Sequence, residues 1–255
     1  MTAAGIDAGA KCLKVVIVRD GAVLAKRSGE CGLDVAGAAE EMLAEALDAA
    51  GLSRGDLSAV AVTGAGAAAV SAGTAVVTVT RALSLAASNL NPAARTVIDV
   101  GAEESRAVKL DEKGNAEDFA LNDKCAAGAG SFIEAMSRAL DVPLKDMGRL
   151  ALTAEEAVAM NAQCVVFAES EVVSLIHRQV PPAKIARAAY ESMAARVMTL
   201  LKRLGVHPEV MVVGGVARDL GFMDALSKKL GVAVSAPEDP EYACALGAAL
   251  SARGT

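Results

Sequence analysis

The chain has 255 residues, a net charge of −6, 2% aromatic residues and no Trp. Because nucleic acid is itself an anion and its bases stack on aromatic rings, this composition argues against a nucleic-acid partner. No apolar run reaches the roughly 20 residues of a membrane span, and the first residues lack the basic and apolar segments of a secretion signal. We therefore expect a cytoplasmic protein that does not enter a membrane.

The first 92 residues predict an α/β unit. Apolar runs separated by turn residues indicate three successive strands, and helical spacing of apolar residues then predicts a helix closed by Gly51. A further short strand ends at Gly64-Ala65-Gly66. The predicted elements are the strands Ala3–Gly9, Lys14–Arg19 and Ala22–Lys26, the helix Asp34–Ala50 and the strand Leu57–Thr63.

The opening pattern returns after Pro92. The strand Arg95–Gly101 ends in Asp-x-Gly, as Gly5–Gly9 does, and a second strand, Ser105–Leu110, leads to the turn Asp111–Asn115. A supersecondary unit that occurs twice in this way indicates internal duplication. We therefore predict a duplicated α/β fold with a cleft between its halves.

The remainder of the second half is predicted to be mostly helical around one buried strand. The predicted elements are the helices Ser131–Leu140, Thr153–Met160, Ala168–His177 and Ala183–Leu204, the strand Val210–Gly215, the helix Phe222–Leu230, the strand Val232–Ser235 and the helix Tyr242–Arg253. No linker rich in Pro or Ser interrupts the chain, which predicts two packed lobes, residues 1–92 and 93–255.

Two aspartates, Asp7 and Asp99, each end an apolar strand two residues before a glycine. Glycines such as Gly9 and Gly101 let the main chain approach an anion closely, with its N–H groups facing phosphate oxygens. A carboxylate beside a phosphate needs a cation between them, which points to Mg²⁺. Taken singly, each Asp-x-Gly is also compatible with an ordinary strand-to-turn junction.

Further residues extend this phosphate-binding set. Lys14 supplies positive charge seven residues after Asp7, and Gly214-Gly215 follow a predicted buried strand, where a ribose and base could lie against bare backbone. This three-part arrangement resembles the ATPase fold shared by actin, sugar kinases and the heat-shock ATPases. The resemblance implies two ribonuclease-H-like lobes that close on Mg-ATP.

Five cysteines occur without a secretory context, which makes a disulfide framework improbable. Three of them, Cys12, Cys31 and Cys244, are interpreted as small buried hydrophobic residues. The other two, Cys125 and Cys164, each fall near the start of a predicted helix, where partial positive charge favours a thiolate.

The two remaining cysteines suit a shared iron–sulfur cluster. Small residues after Cys125, among them Gly128, leave room for an inorganic core, and their N–H groups could face its sulfurs. Two thiolates are too few for a four-thiolate cluster, and their separation is unlike that of zinc ligands. Two chains that meet on a symmetry axis would supply four thiolates, from an identical or a related second subunit.

The segments NDKCAAGAGSFIE and QCVVFAESEVVSL closely resemble the ATP-dependent activators of 2-hydroxyacyl-CoA dehydratases and the related ATPase subunits of benzoyl-CoA reductase. The likeness covers essentially the whole chain in order, through GIDAG, IDVGAEES, VGGVARDLG and ALGAAL. It implies a [4Fe–4S] cluster that bridges a homodimer or heterodimer through Cys125 and Cys164 of each subunit. It also implies that ATP hydrolysis drives one electron into a CoA-ester dehydratase or reductase, with a ferredoxin or flavodoxin-type reductant reloading the cluster.

Both phosphate segments depart from that family. The first usually continues Gly-Ser-Thr, whereas Gly9 is followed here by Ala10 and Lys11. The second usually reads Gly-Gly-Gln-Asp-Ser-Lys, and here it reads Gly-Ala-Glu-Glu-Ser-Arg from Gly101 to Arg106. The resemblance places Glu103 near the γ-phosphate, where it acts as a base on water or repels the phosphate.

These comparisons complete the set of candidate residues. The catalytic candidates are Asp7, Asp99 and Glu103, the cofactor-binding candidates are Gly9, Ala10, Lys11, Lys14, Gly101, Ala102, Gly128, Gly214 and Gly215, and the cluster ligands are Cys125 and Cys164. Two alternatives remain open, a sugar or acetate-type kinase and a regulator that binds nucleotide but barely hydrolyses it.

Overall fold

Two five-stranded sheets organise the residues that a computed structural model describes, 1–160 and 164–252. The strands of the first sheet are β1 (Thr2–Ala8), β2 (Cys12–Arg19), β3 (Ala22–Glu30), β4 (Ala59–Thr63) and β5 (Ala75–Val76). Those of the second are β6 (Thr96–Val100), β7 (Ser105–Leu110), β8 (Ala116–Asn122), β9 (Val210–Val213) and β10 (Val234–Ser235). The orders are β3-β2-β1-β4-β5 and β10-β9-β6-β7-β8. Read from its own first strand, the second sheet has the order of the first, which confirms the predicted duplication.

Pairing within the first sheet follows from the short turns of the sequence. The strands β1, β2 and β3 pair antiparallel, because a few residues suffice to reverse the chain between neighbours. The strand β4 pairs parallel with β1, and β5 pairs parallel with β4. This arrangement puts the ends of β1 and β4 at the same edge of the sheet.

Eight α-helices lie between or after the strands of the described residues. Their bounds are α1 (Val35–Ala49), α2 (Val79–Leu90), α3 (Gly130–Leu140), α4 (Leu144–Leu152), α5 (Val165–His177), α6 (Pro182–Leu204), α7 (Leu220–Leu230) and α8 (Ala243–Ser251). Capping side chains fix where some of them begin, since Asp34 accepts from Gly37 N (2.9 Å) at α1 and Asp219 accepts from Gly221 N (2.8 Å) at α7. Within the described residues, no helix is both long and apolar enough to cross a membrane.

The described chain divides into two compact units. The first comprises residues 1–97, 108–118 and those from 237 onward, and the second comprises 98–107 and 119–236. The last helix, α8, belongs to the first unit because its backbone packs directly on β1. A Cβ on Gly5 would lie 2.0 Å from Ala245 O, so glycine is required for this approach. The predicted lobes 1–92 and 93–255 differ from these units and stay a prediction.

Helices build most of the core of the second unit. The largest buried side chains there include Phe132 and Met136 from α3, Tyr190 from α6 and Phe222 from α7. The Tyr190 hydroxyl donates to Asp219 Oδ2 (2.5 Å), and this carboxylate also caps α7. Burial and the negative charge of Asp219 raise the pKa of Tyr190, so the phenol stays a neutral donor.

Most predicted elements occur, with shifts at their ends, but the predicted helix Thr153–Met160 is wrong. The helix in this region is α4, which begins after Pro143 and buries Met147 and Ala151 one turn apart. Residues 153–160 are not helical. Two further differences concern a strand that was not predicted and the end of the last helix. The strand β8 was not predicted, because most of its side chains are exposed and show no apolar alternation. The predicted end of the last helix, Arg253, lies outside the described residues.

Candidate functional site

The first phosphate segment forms a buried ion pair in the first unit. The β1–β2 register sets Asp7 opposite Lys14, and Lys14 Nζ lies 3.4 Å from Asp7 Oδ2 and 3.3 Å from Cys12 O. Burial is the largest single influence and lowers the pKa of Lys14, but the charge of Asp7, its hydrogen bond to the lysine and the nearby Cys12 and Cys244 together outweigh burial, so the net pKa is raised. The lysine therefore stays protonated beside a carboxylate that is only 8% exposed.

The loop between β1 and β2 carries the next three predicted residues. Gly9 N donates to Cys12 O (3.1 Å), and a Cβ on Gly9 would lie 2.9 Å from Cys12 O and 3.1 Å from Lys14 Nζ. Glycine is therefore the residue that fits beside the ion pair. Ala10 is exposed at the tip and Lys11 is half-buried, with its carbonyl accepting from Cys31 N (3.0 Å).

The second unit repeats this arrangement with different residues. Arg106 follows Asp99 by seven positions, as Lys14 follows Asp7, and Arg106 Nε lies 3.6 Å from Asp99 Oδ2. The same guanidinium bonds Glu104 Oε2 through a terminal nitrogen at 2.5 Å. Sequence analysis missed Arg106 as a partner of Asp99, although the equal spacing of the two Asp–cation pairs would have revealed it.

A glycine with a positive φ lies against each aspartate. At Gly64 (φ +96°) a Cβ would lie 2.4 Å from Ala8 O and 2.5 Å from Asp7 Oδ1. At Gly214 (φ +87°) it would lie 2.3 Å from Val100 O and 2.7 Å from Asp99 Oδ1. Gly214 was predicted and Gly64 was missed. The neighbouring Gly215 is exposed and has open space around it.

We expect Gly64→Ala to destabilise the protein by about 2–4 kcal/mol, because it combines backbone strain with a clash against Asp7. Gly51→Ala is the matched control, since Gly51 also has a positive φ (+65°) but a Cβ there would have nothing within 4 Å. That control is expected to cost about 1 kcal/mol from strain alone. Urea denaturation of the two variants measures the difference, and equal losses would contradict a steric role for Gly64.

The loop after Asp99 is tied to the start of α3. Gly130 N donates to Gly101 O and Ser131 N donates to Ala102 O, both at 2.9 Å. The Ser131 hydroxyl also donates to Glu103 Oε2 at 3.4 Å. Glu103 is exposed in this loop. The predicted residues Gly101, Ala102 and Glu103 are therefore brought together with the first turn of a helix that begins five residues after Cys125.

Cys125 precedes a short 3-10 turn that leads into α3. Asn122 Nδ2 donates to Cys125 O (2.9 Å), and Gly128 N donates to the same carbonyl (3.2 Å). A Cβ on Gly128 would lie 2.8 Å from Asn122 Nδ2 and 3.3 Å from Arg196 Cβ, so the turn requires a glycine at this position. The cysteine itself is half-buried and packs against the core of the second unit.

Cys164 is exposed and immediately precedes α5, with no side chain capping the first turn. The next two side chains, Val166 and Phe167, are 64% and 70% exposed. Helices α3 and α5 pack on each other, with Arg138 Nη2 3.9 Å from Glu169 Oε1. In the described ranges, no three His, Cys, Asp or Glu side chains come close enough together to hold a metal ion.

The other three cysteines are less accessible than Cys164. Cys31 and Cys244 are buried, as predicted, whereas Cys12 is half-buried. The Cys31 thiol donates to Gly9 O at 3.0 Å. Burial raises the pKa of Cys31, so this thiol stays neutral.

Known proteins resemble this chain over nearly its whole length. The sequence profile described as the BadF/BadG/BcrA/BcrD ATPase family matches residues 4–252. A benzoyl-CoA reductase subunit from Thauera aromatica is 35% identical over 260 residues, which cover 97% of this chain and 91% of that protein. The activator of the 2-hydroxyisocaproyl-CoA dehydratase from Clostridium difficile, solved with bound ADPNP, has a TM-score of 0.91 at 32% identity, over 99% of this chain and 94% of that chain.

A more distant structure bears on the fold alone. A ROK family glucokinase from Streptomyces griseus, solved with glucose and AMPPNP, has a TM-score of 0.60 at 15% identity and covers 100% of both chains. This likeness, together with the duplicated sheet order, confirms the predicted α/β fold of the actin and sugar-kinase type.

Proposed function

Because the chain belongs to the BadF/BadG/BcrA/BcrD ATPase family, we propose that it hydrolyses ATP to drive an electron from a [4Fe–4S] cluster into a CoA-ester dehydratase or reductase. The family membership confirms the resemblance found in the sequence. The observation that carries the proposal is the pair of hydrogen bonds from the first turn of α3 to Gly101 and Ala102. Through them, a change at the phosphate loop reaches the segment that carries Cys125.

The residues around the two aspartates fit Mg-ATP. Carboxylate oxygens are ligands that Mg²⁺ prefers, directly or through water, and glycine backbone suits close approach to phosphates. When bound, Mg²⁺ polarises the phosphoryl group and neutralises its charge. In the first unit, Asp7 would hold the cation directly or through water, while Lys14, which stays protonated, would add positive charge for a phosphate. In the second unit, Asp99 is the corresponding candidate.

The other candidates would contribute to nucleotide binding. The backbone N–H groups of Gly9, Ala10 and Lys11 serve where the family has hydroxyl side chains, and the charge of Lys11 adds to phosphate binding. Glu103, held by Ser131, accepts a proton from the attacking water. The bare backbone of Gly214 and Gly215 receives the ribose and base.

Cys125 and Cys164 fit a cluster shared with a second subunit. The Cys164 thiol is exposed at an uncapped helix start, where free N–H groups favour an electron-rich ligand. Gly128 has no side chain, so the turn after Cys125 can pack closely against Asn122. The exposed Val166 and Phe167 give a second subunit, identical or related, apolar surface beside Cys164. Cysteines that form no disulfide fit the reducing cytoplasm, where a ferredoxin or flavodoxin-type protein reloads the cluster.

The test is purification of the full chain without air. We expect a brown protein with about four iron atoms and four sulfides per two chains, and an ATPase activity that requires Mg²⁺. A colourless, iron-free preparation that still hydrolyses ATP would contradict the electron-transfer role and leave only the ATPase. For the alternative kinase role, the similarity between this chain and the glucokinase extends to the fold alone.

The regulator alternative rests on Ala10, which lacks a hydroxyl donor, and on Glu103, whose carboxylate either acts as a base on water or repels the γ-phosphate. We expect Glu103→Gln to lower hydrolysis by about 100-fold, the usual contribution of a general base. The hydrolysis rate at saturating Mg-ATP measures this, with Glu112→Gln in a turn as the control. A faster Glu103→Gln variant would favour the regulator.

A further inference from the structure

One buried hydroxyl of the first unit has no partner. Across residues 1–160 and 164–252, only Thr63 Oγ1 and Arg106 Nε are buried side-chain polar atoms without a hydrogen bond. Arg106 still lies in an ion pair with Asp99, whereas Thr63 is fully buried. An unsatisfied buried hydroxyl lowers stability, so its presence calls for a role.

The position of Thr63 puts that hydroxyl beside Asp7. Thr63 is the last residue of β4 and is in register with Asp7 on β1, which in turn is opposite Lys14 on β2. Side chains in register on neighbouring strands point to the same face, and the strands lie about 4.8 Å apart. The three side chains therefore form one row across the sheet.

The alternation of side chains along β4 supports this assignment. Val60 and Val62 pack in the core beneath α1, together with Leu43 and Leu47. Thr63 follows Val62 and so faces the opposite side, which is the side of Asp7. Of the two Asp7 oxygens, Oδ2 faces Lys14 and Oδ1 lies against Gly64.

The second unit offers an internal comparison. It repeats the aspartate, the cation seven residues later and the glycine with positive φ, but Val213 precedes Gly214 where Thr63 precedes Gly64. Val213 is fully buried, as Thr63 is. Because valine has the shape of threonine without the hydroxyl, packing alone does not require a threonine at this place.

We propose that Thr63 is a positioning residue of the ATP site, whose hydroxyl holds a water molecule in the coordination shell of the divalent cation beside Asp7. The inference rests on the proposed ATPase function and adds a residue to its metal side. The partner of the hydroxyl is a cation-bound water, which donates to Thr63 Oγ1. In this way the hydroxyl is satisfied only when the cation and nucleotide are bound.

The test compares Thr63→Val with Thr63→Ser in the full chain. Without nucleotide, we expect the melting temperatures to rank Val at or above Thr, and Thr above Ser, because valine removes the unsatisfied hydroxyl and serine removes a buried methyl group. The Mg²⁺ dependence of ATP hydrolysis should follow a different order, with Thr63→Ser close to wild type and Thr63→Val impaired. The Mg²⁺ concentration for half-maximal ATP hydrolysis is expected to rise at least tenfold in Thr63→Val and to stay within threefold of wild type in Thr63→Ser.

Binding of Mg-ADPNP, followed by calorimetry, gives a second readout and should weaken in Thr63→Val alone. A Thr63→Val protein with wild-type Mg²⁺ dependence would overturn the inference while the proposed function stands. A Thr63→Val protein that melts below wild type would also overturn it, because the hydroxyl would then be structural. A wild-type protein that binds no Mg-ATP would overturn the proposed function and this inference together.

Discussion

Replacement of Cys164 by serine is expected to reduce the iron content of the anaerobically purified protein from about four atoms per two chains to none. Thiolates are the ligands that iron–sulfur clusters select, whereas a serine hydroxyl stays protonated and binds soft metals poorly. The Cys164 side chain is exposed at the start of α5, so the change removes no packing. The melting temperature of the iron-free chain should therefore be unchanged.

Cys12→Ser is the control for this experiment. Cys12 is a half-buried free thiol at the end of the phosphate loop, and it is not among the proposed ligands. Its replacement should leave iron and sulfide at the wild-type level. Full iron content in Cys164→Ser, or loss of iron in Cys12→Ser, would mean that the ligand assignment is wrong.

The fold was largely predictable because the same sequence pattern of strands and turns occurs twice along the chain. Asp7 and Asp99 each begin an Asp-x-Gly and are the second-last residue of β1 and β6, and a further strand follows each of them. Sheet order is not visible in this way, since it depends on which strands pair over long separations. The helix α4 was missed because its short stretch, Leu144–Leu152, offers only two turns of apolar spacing.

A site residue could be predicted where its side-chain type indicates a chemical role. It could not be predicted where the role depends on its position in the folded structure. Lys14 stands out as a cation near Asp7, and the pairing of β1 with β2 brings the two together. Thr63 and Gly64 carry no such signal, because a glycine after an apolar strand also suits an ordinary turn. Their places became evident only when the register of β4 against β1 was known.

Asp7→Asn is expected to lower the rate of ATP hydrolysis by about 100-fold or more, since a held metal ion contributes several kcal/mol to catalysis of phosphoryl transfer. Asparagine has the shape of aspartate, so it fits against Gly64 without a new clash. The change removes the negative charge that we propose for the cation. It also leaves Lys14, 3.4 Å away, without its compensating carboxylate.

The loss of charge compensation at Lys14 should affect ATP binding differently from ATP hydrolysis. An uncompensated Lys14 attracts the triphosphate more strongly, so Asp7→Asn should bind ATP at least as tightly as wild type while turning it over slowly. Fluorescent-nucleotide titration and phosphate release measure the two quantities on the same preparation. Asp48→Asn, at an exposed position of α1, is the control and should change neither. If Asp7→Asn instead loses ATP binding and keeps its turnover at saturation, Asp7 acts on the ground state alone, and the metal contact that matters for hydrolysis must come from Asp99.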